Sequence, residues 1–227
     1  MKKINHIKIG TTGTYPPFSF LNLNKFEGFA LDLVFEFAKA NQFTTEIIPT
    51  SWETLENDLE NKCFVIAADG IALTQQRSAK FLVSHPLVKN GKVVLTHKDN
   101  RRRFSDLASI DQSDVRVIAN PGGTNEAFVR KYIHQAEIVM CSEIEDIFLQ
   151  IRQKKVDIFI TDLIEAKFRS KRDEKLCVPD HAKLLSHDDI GFLISKQVPE
   201  LASRLNQWLS NQTVVQSFLK KWDLLGL

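Results

Sequence analysis

At 227 residues the chain has room for one large domain or two small lobes, and for a real hydrophobic core. Hydrophobic residues make up 43% of it and charged residues 26%, which excludes a disordered, collagen-like or coiled-coil protein. With 30 basic and 28 acidic residues the net charge is +2, so there is no electrostatic case for nucleic acid or an anionic membrane surface as partner.

Taken in chain order, Ile7 to Gly10 reads as a short buried strand, and Thr11 to Pro17, with a glycine and two prolines, as a loop. Phe29 to Ala40 carries apolar residues at helical spacing, with charges at Asp32, Glu36 and Lys39. Thr45 to Pro49 is a strand, and Trp52 to Asn61 a helix with Ser51 as its N-cap. Phe64 to Ala68 is a strand that ends at Asp69-Gly70. The pattern then restarts. Strands are expected at Val93 to Thr96, Val115 to Ala119, Ala136 to Met140 and Val156 to Thr161, and helices up to Ile133, over Glu143 to Gln153 and over Leu163 to Arg169. A late strand, Ile190 to Ile194, precedes two closing helices, Pro199 to Leu209 and Val214 to Trp222.

Two strand–helix sets of this kind predict α/β lobes with mainly parallel sheets. The expected division is residues 1–95 with 191–227 as the first lobe and 96–190 as an inserted second lobe. The crossovers are placed near Val94–Lys98 and His187–Ile194, so that the final helices return to the first lobe. Paired short connections make a hinge, and ligands commonly bind in a cleft beside one. The run Arg101-Arg102-Arg103 reads as a solvated turn.

Three cysteines, Cys63, Cys141 and Cys177, are too few for a disulfide framework, and none has a neighbour at metal-ligand spacing. No metal or cofactor is therefore expected. Cys141 and Cys177 are the pair that would bridge in an oxidising compartment; three free thiols are the alternative. No stretch is long enough to span a bilayer, so no membrane insertion is expected. The basic start Met1 to His6 is not followed by a long apolar segment, so an exported form would have had its signal peptide removed or replaced by a start methionine.

Chemistry is expected in loops beyond strand ends. In Thr11 to Phe20, Tyr15 and Phe18 read either as ligand clamps or as core aromatics beside a proline turn. Trp52 reads as a pocket wall or a structural tryptophan. In Asp69 to Arg77, Gly70 permits close backbone approach and Arg77 offers a planar fork that matches a carboxylate. The plainer reading of Arg77 is a surface arginine paired with a local acid. In Asn120 to Glu126, Gly123, Thr124 and Asn125 at a helix start expose backbone N–H groups suited to an anion, or form an ordinary capping turn. Asp162 and Glu165, three apart on an early helical turn, can face one side, or simply favour the helix dipole.

Together these stretches resemble the amino-acid-binding branch of the bacterial periplasmic solute-binding proteins, over Ile7 to Trp222. The resemblance rests on Tyr15-Pro16-Pro17-Phe18, Gly28-Phe29 before Asp32, Gly70 with Arg77, Gly123-Thr124, Thr161-Asp162 and Lys220-Lys221-Trp222. It implies a two-lobed periplasmic-binding-protein type II fold with a ligand cleft between lobes, a periplasmic location and a small carboxylate-bearing ligand. It further implies that Arg77 and the second-lobe helix start hold the ligand α-carboxylate, and that Asp162 takes the α-ammonium. A transport role would imply an ABC-importer permease as partner.

A narrower resemblance is to the cyclohexadienyl dehydratases, enzymes built on the same fold. It rests on Thr11 to Tyr15, Pro49 to Trp52, Asn120 to Glu126 and Thr161 to Ala166. It implies decarboxylative dehydration of prephenate or arogenate, with Glu165 as general acid and with Tyr15 and Trp52 packed on the substrate ring. Two positions depart from the pattern: Ala72 stands where a serine or threonine is usual, and Asp69 where a small residue is usual. The alternative function is a receptor for a polar amino acid such as arginine or lysine, in which Asp69 would favour a cationic side chain.

Overall fold

A computed structural model describes residues 5–225; Met1 to Ile4, most of the basic start, lie outside the described residues. The chain forms two compact units. One comprises the residues up to Lys89 together with those from Asp188 onward, and the other is Asn90–His187.

The first unit begins with β1 (His6–Thr11), β2 (Thr14–Tyr15), β3 (Ser19–Asn22) and β4 (Lys25–Glu27). The stretch expected as a loop after the first strand thus contains β2, the first strand of a small antiparallel sheet ordered β2-β3-β4. Its tight turn is the reason: Asn22 pairs with Lys25, and the two residues between, Leu23 and Asn24, take φ of 46° and 64°, a conformation that suits a two-residue hairpin.

Next come α1 (Phe29–Ala40), β5 (Thr44–Pro49), α2 (Leu55–Glu60), β6 (Ile66–Ala72), α3 (Gln75–Lys80), β7 (Leu82–Val83) and β8 (Val88–Asn90). Helix α1 buries Phe29, Ala30, Leu33, Val34 and Phe37, a stripe at three- and four-residue spacing. It starts at Gly28, whose φ of 144° and close approach to the Phe18 carbonyl leave no room for a side chain. Helix α2 starts three residues later than the sequence suggests, because Ser51 and Thr54 bond to each other in a preceding turn; Ser51 is not its N-cap.

The second unit holds β9 (Lys92–His97), a 3-10 turn (Lys98–Asn100), α4 (Leu107–Ile110), β10 (Arg116–Ala119), α5 (Thr124–Tyr132), β11 (Glu137–Met140), α6 (Ile144–Arg152), β12 (Ile158–Asp162), α7 (Leu163–Arg172) and β13 (Leu176–Cys177). The chain then returns to the first unit as β14 (Asp188–Ile194), α8 (Pro199–Leu209) and α9 (Gln212–Lys221).

The main sheet of the first unit runs β5-β1-β6-β14-β7, and that of the second β11-β10-β12-β9-β13. In each, three parallel strands are extended by antiparallel ones. Strand β9, expected as a crossover, is an integral strand of the second sheet, paired with β12 over five residues from Lys92–Asp162 to Thr96–Ile158. The chain therefore passes between units before it, at 89–90, and again at 187–188.

Residues alternate between the two faces of the second sheet. Val94, Val117, Ala119, Ile158 and Ile160 belong to one core cluster, and Val93, Leu95, Ile118 and Phe159 to another. Both faces are thus covered, as the continuous apolar strands require. In the first unit, Trp208 packs edge-on against Phe37 of α1, and Asp32 accepts hydrogen bonds from Lys221 Nζ and Trp222 Nε1, each at 2.7 Å. Of the basic run, Arg101 pairs with Asp180 and Arg103 with Asp114 on the exposed surface. All three cysteines are free thiols.

Candidate functional site

Strand β6 is longer than its first apolar residues suggest. Its small, fully buried sequence IAADGIA continues through Ala72, which pairs with Ile190 of β14. Asp69, Gly70 and Ala72 are therefore strand residues rather than loop residues. Gly70 is covered by Tyr15: a Cβ there would lie 1.9 Å from the Tyr15 ring. Tyr15 stacks on Phe18 with ring centres 5.5 Å apart and meets the edge of Trp52 at 5.8 Å, so these aromatics form one wall.

Asp69 is fully buried. Its Oδ2 accepts from the Thr12 amide at 2.8 Å, from Thr12 Oγ at 2.9 Å and from Thr11 Oγ at 3.1 Å, and its Oδ1 accepts from the Gly70 amide. The side chain braces the loop after β1 against β6. Burial pushes its carboxyl up to about 6, although these hydrogen bonds pull the other way.

Thr74 caps α3 by accepting from the Arg77 amide, and the Arg77 side chain is buried. Its Nε donates to Glu56 at 3.0 Å and one terminal nitrogen, Nη1, to the Ala72 carbonyl at 3.0 Å. Arg77 thus does pair with an acid, but as a buried, oriented fork. Ala72, which brings no hydroxyl, contributes its backbone oxygen to that orientation.

The second unit has its own polar centre, built around a residue absent from the sequence expectation. Lys92, at the head of β9, is buried, and its Nζ donates to Asp162 at 2.8 Å, Asn125 at 2.6 Å and Thr124 at 2.9 Å. Gly123, Thr124, Asn125 and Asp162 are thereby assembled at the starts of α5 and α7. Gly123 is the N-cap of α5 and supplies no capping side chain. Asp162 is the N-cap of α7 but makes no capping bond; Asn90 Oδ1 accepts from the Ile164 amide instead, at 3.3 Å. The sequence signal for Lys92 is a lysine directly before the apolar run Val93-Val94-Leu95.

Glu165, in the first turn of α7, is 1% exposed. Its Oε2 accepts from Thr161 Oγ at 2.6 Å, whereas Oε1 has no hydrogen-bond partner. Burial drives its carboxyl up to about 7; Arg169, Thr161 and Lys92 oppose the rise and Asp162 adds to it. A buried carboxyl that holds its proton near neutrality and leaves one oxygen unengaged can serve as a proton donor. Among the described residues no cluster of three or more His, Cys, Asp or Glu side chains could hold a metal ion.

A family model described as bacterial extracellular solute-binding proteins, family 3, matches residues 7–222. The chain belongs to this family. A cyclohexadienyl dehydratase from Pseudomonas aeruginosa is 33% identical over 220 residues, which cover 89% of this chain and 82% of that one. The L-cystine-binding protein TcyJ of Escherichia coli (strain K12) is 22% identical over 98% of this chain and 84% of its own length. Among solved structures, the ancestral amino acid-binding protein AncCDT-1, described as a precursor of cyclohexadienyl dehydratase, has a TM-score of 0.87 at 27% identity, covering 96% of this chain and 95% of that one. The two-lobed type II fold of the family-3 solute-binding proteins is therefore the fold of this chain. Among the described residues no helix is long and apolar enough to cross a membrane.

Proposed function

We propose that this family-3 protein is a cyclohexadienyl dehydratase that acts on prephenate in the periplasm. The observation that carries the reading is Glu165, buried, protonated up to about pH 7 and with Oε1 unengaged. The likeness to the Pseudomonas aeruginosa enzyme supports it. In the proposed reaction the bond from the ring to its carboxylate breaks and releases carbon dioxide. The electron pair moves into the ring, and the ring C–O bond breaks as Glu165 hands its proton to the departing oxygen. The products are phenylpyruvate, carbon dioxide and water, and Glu165 is left as a carboxylate. A ring hydroxyl leaves poorly without that proton, and general acid catalysis of this kind contributes about 100- to 10,000-fold.

The other groups have supporting roles. Arg77 would hold one substrate carboxylate with the face of its fork that Glu56 and Ala72 leave open. Gly123, Thr124 and Asn125 would hold the other through the α5 start. Tyr15 and Trp52 would pack on the ring, with Gly70 setting Tyr15 in place. Asp69 would act through the loop that it braces.

The competing reading is an ABC-importer receptor for a polar amino acid, in keeping with relatives such as TcyJ. That role would need Asp162 to meet a ligand ammonium. Lys92 already holds Asp162 at 2.8 Å and brings a positive charge, which favours an anionic ligand without an α-ammonium, and so prephenate over arogenate.

Purified protein incubated with prephenate should form phenylpyruvate, read by its absorbance, and Glu165→Gln should lower the rate at least about 100-fold while keeping the thermal shift that prephenate induces. No product from wild-type protein, together with a thermal shift by arginine or lysine, would decide for the receptor.

A further inference from the structure

Two buried polar atoms on α7 face an unmade bond. Glu165 Oε1 accepts no hydrogen bond and Arg169 Nε donates none, although both are shut away from solvent. They lie one helical turn apart, 3.9 Å from each other. That is too long for a hydrogen bond yet close enough for the charge to be felt. Orphaned buried donors and acceptors are costly, so a pair held just out of reach calls for a cause.

The cause lies on α6. The Arg169 guanidinium sits over the Phe148 ring, 4.1 Å from its centre, and donates from Nη1 to Glu145 at 2.8 Å. These contacts hold the arginine on the α6 side. On the other side, Thr161 fixes the Glu165 carboxyl through Oε2. Two other charges near Glu165, Lys92 and Asp162, are paired with each other. Arg169 is thus the nearby cation whose own counter-ion, Glu145, lies on the exposed surface.

We propose that Arg169 is a positioning residue for Glu165, held short of its carboxyl by Glu145 and Phe148 and closing on Oε1 once that carboxyl has given up its proton. This rests on the reading of Glu165 as a general acid. The proton leaves Oε1 for the departing oxygen, and Oε1 becomes an anionic acceptor. Arg169 Nε–H, charged throughout, then donates to it. The arrangement spares the neutral acid a strong partner that would strip its proton, and supplies that partner to the carboxylate left behind. Glu145 sets the balance from the surface.

The test is a carbon-13 NMR titration of the side-chain carboxyls, with Glu165→Gln identifying the signal, followed in Arg169→Gln and Glu145→Gln. Arg169→Gln should move the Glu165 midpoint up by about one pH unit or more, as loss of an opposite charge at this range does. Glu145→Gln should move it down, and Arg169→Lys should restore part of the loss. The alkaline limb of the rate profile should shift the same way in each. An unmoved midpoint in Arg169→Gln, or an upward one in Glu145→Gln, overturns the proposal, even in a protein that turns over prephenate. Should Arg169→Gln fail to fold, the sign of the shift in Glu145→Gln, a surface change, decides alone. Opposite shifts in a protein with no dehydratase activity would sustain the coupling and remove only the general-acid reading.

Discussion

Asp69 and Glu165 are each forced to live without water, and the consequence is a pH dependence of stability. Each binds its proton more tightly folded than unfolded, Asp69 at about 6 against 3.8 and Glu165 at about 7 against 4.5. Their contribution to stability is therefore full below the unfolded values and is lost as pH rises through the folded ones, between about 4 and 7. For Glu165 the difference corresponds to roughly 3 kcal/mol. Glu165→Gln removes that group's share, so relative to wild type the variant should be more stable at pH 8 than at pH 4 by an amount on that order. Urea midpoints at the two pH values measure it, and an equal difference at both would show that Glu165 titrates normally. Glu165, Asp162 and Arg77 could be picked out in the sequence because acids near a helix start and an arginine after a strand follow simple spacing. Their partners could not. Lys92 and Glu56 lie 70 and 21 positions from the groups they bind, and it is the pairing of β9 with β12 that brings Lys92 to Asp162.

Among the elements, apolar periodicity marks most of the helices and strands. Helices α1 and α8 run from Phe29 to Ala40 and from Pro199 to Leu209, as their stripes indicate, because both bury one face against the core. What periodicity missed was structure made by small or polar residues. The β2-β3-β4 sheet depends on two positive-φ positions that carry no glycine, and β6 extends past its large apolar residues because β14 pairs with it. In β6 the absence of a side chain at Gly70 is itself structural. Gly70→Ala should push Tyr15 off Phe18 and Trp52, at a cost of about 1–3 kcal/mol for an overfilled site. Urea unfolding checks the stability and tryptophan emission checks the wall; a variant unchanged in both would mean that the strand can shift to admit a methyl group.

At the scale of the molecule, the second unit is one continuous stretch whose two ends are tied to each other. The Lys92 amide donates to Ser186 Oγ at 2.9 Å, and the Leu185 amide to the Lys92 carbonyl at 2.8 Å. With its own sheet and two core clusters, residues 90–187 should fold when expressed alone, giving a native-like far-UV spectrum and a single cooperative urea transition. A fragment that unfolds without cooperativity would show that its core depends on the rest of the chain. The division into two units followed from the repeated strand–helix pattern. The points of passage did not, because β9 and β14 are apolar strands in either reading and only their partners reveal which sheet each completes.

That clasp between Lys92 and the segment Leu185–Ser186 suits residues 90–187 to exchange as one piece. A recombination event that exchanges residues 90–187 with the same stretch of a relative would leave β9 through β13 and β14 whole and part only the last residue of β8. It would carry Glu165, Arg169 and Glu145 as a set while Arg77 and Tyr15 stay behind. The proposed proton donor and the arginine fork can then be inherited from different parents, with the α5 start travelling beside the donor.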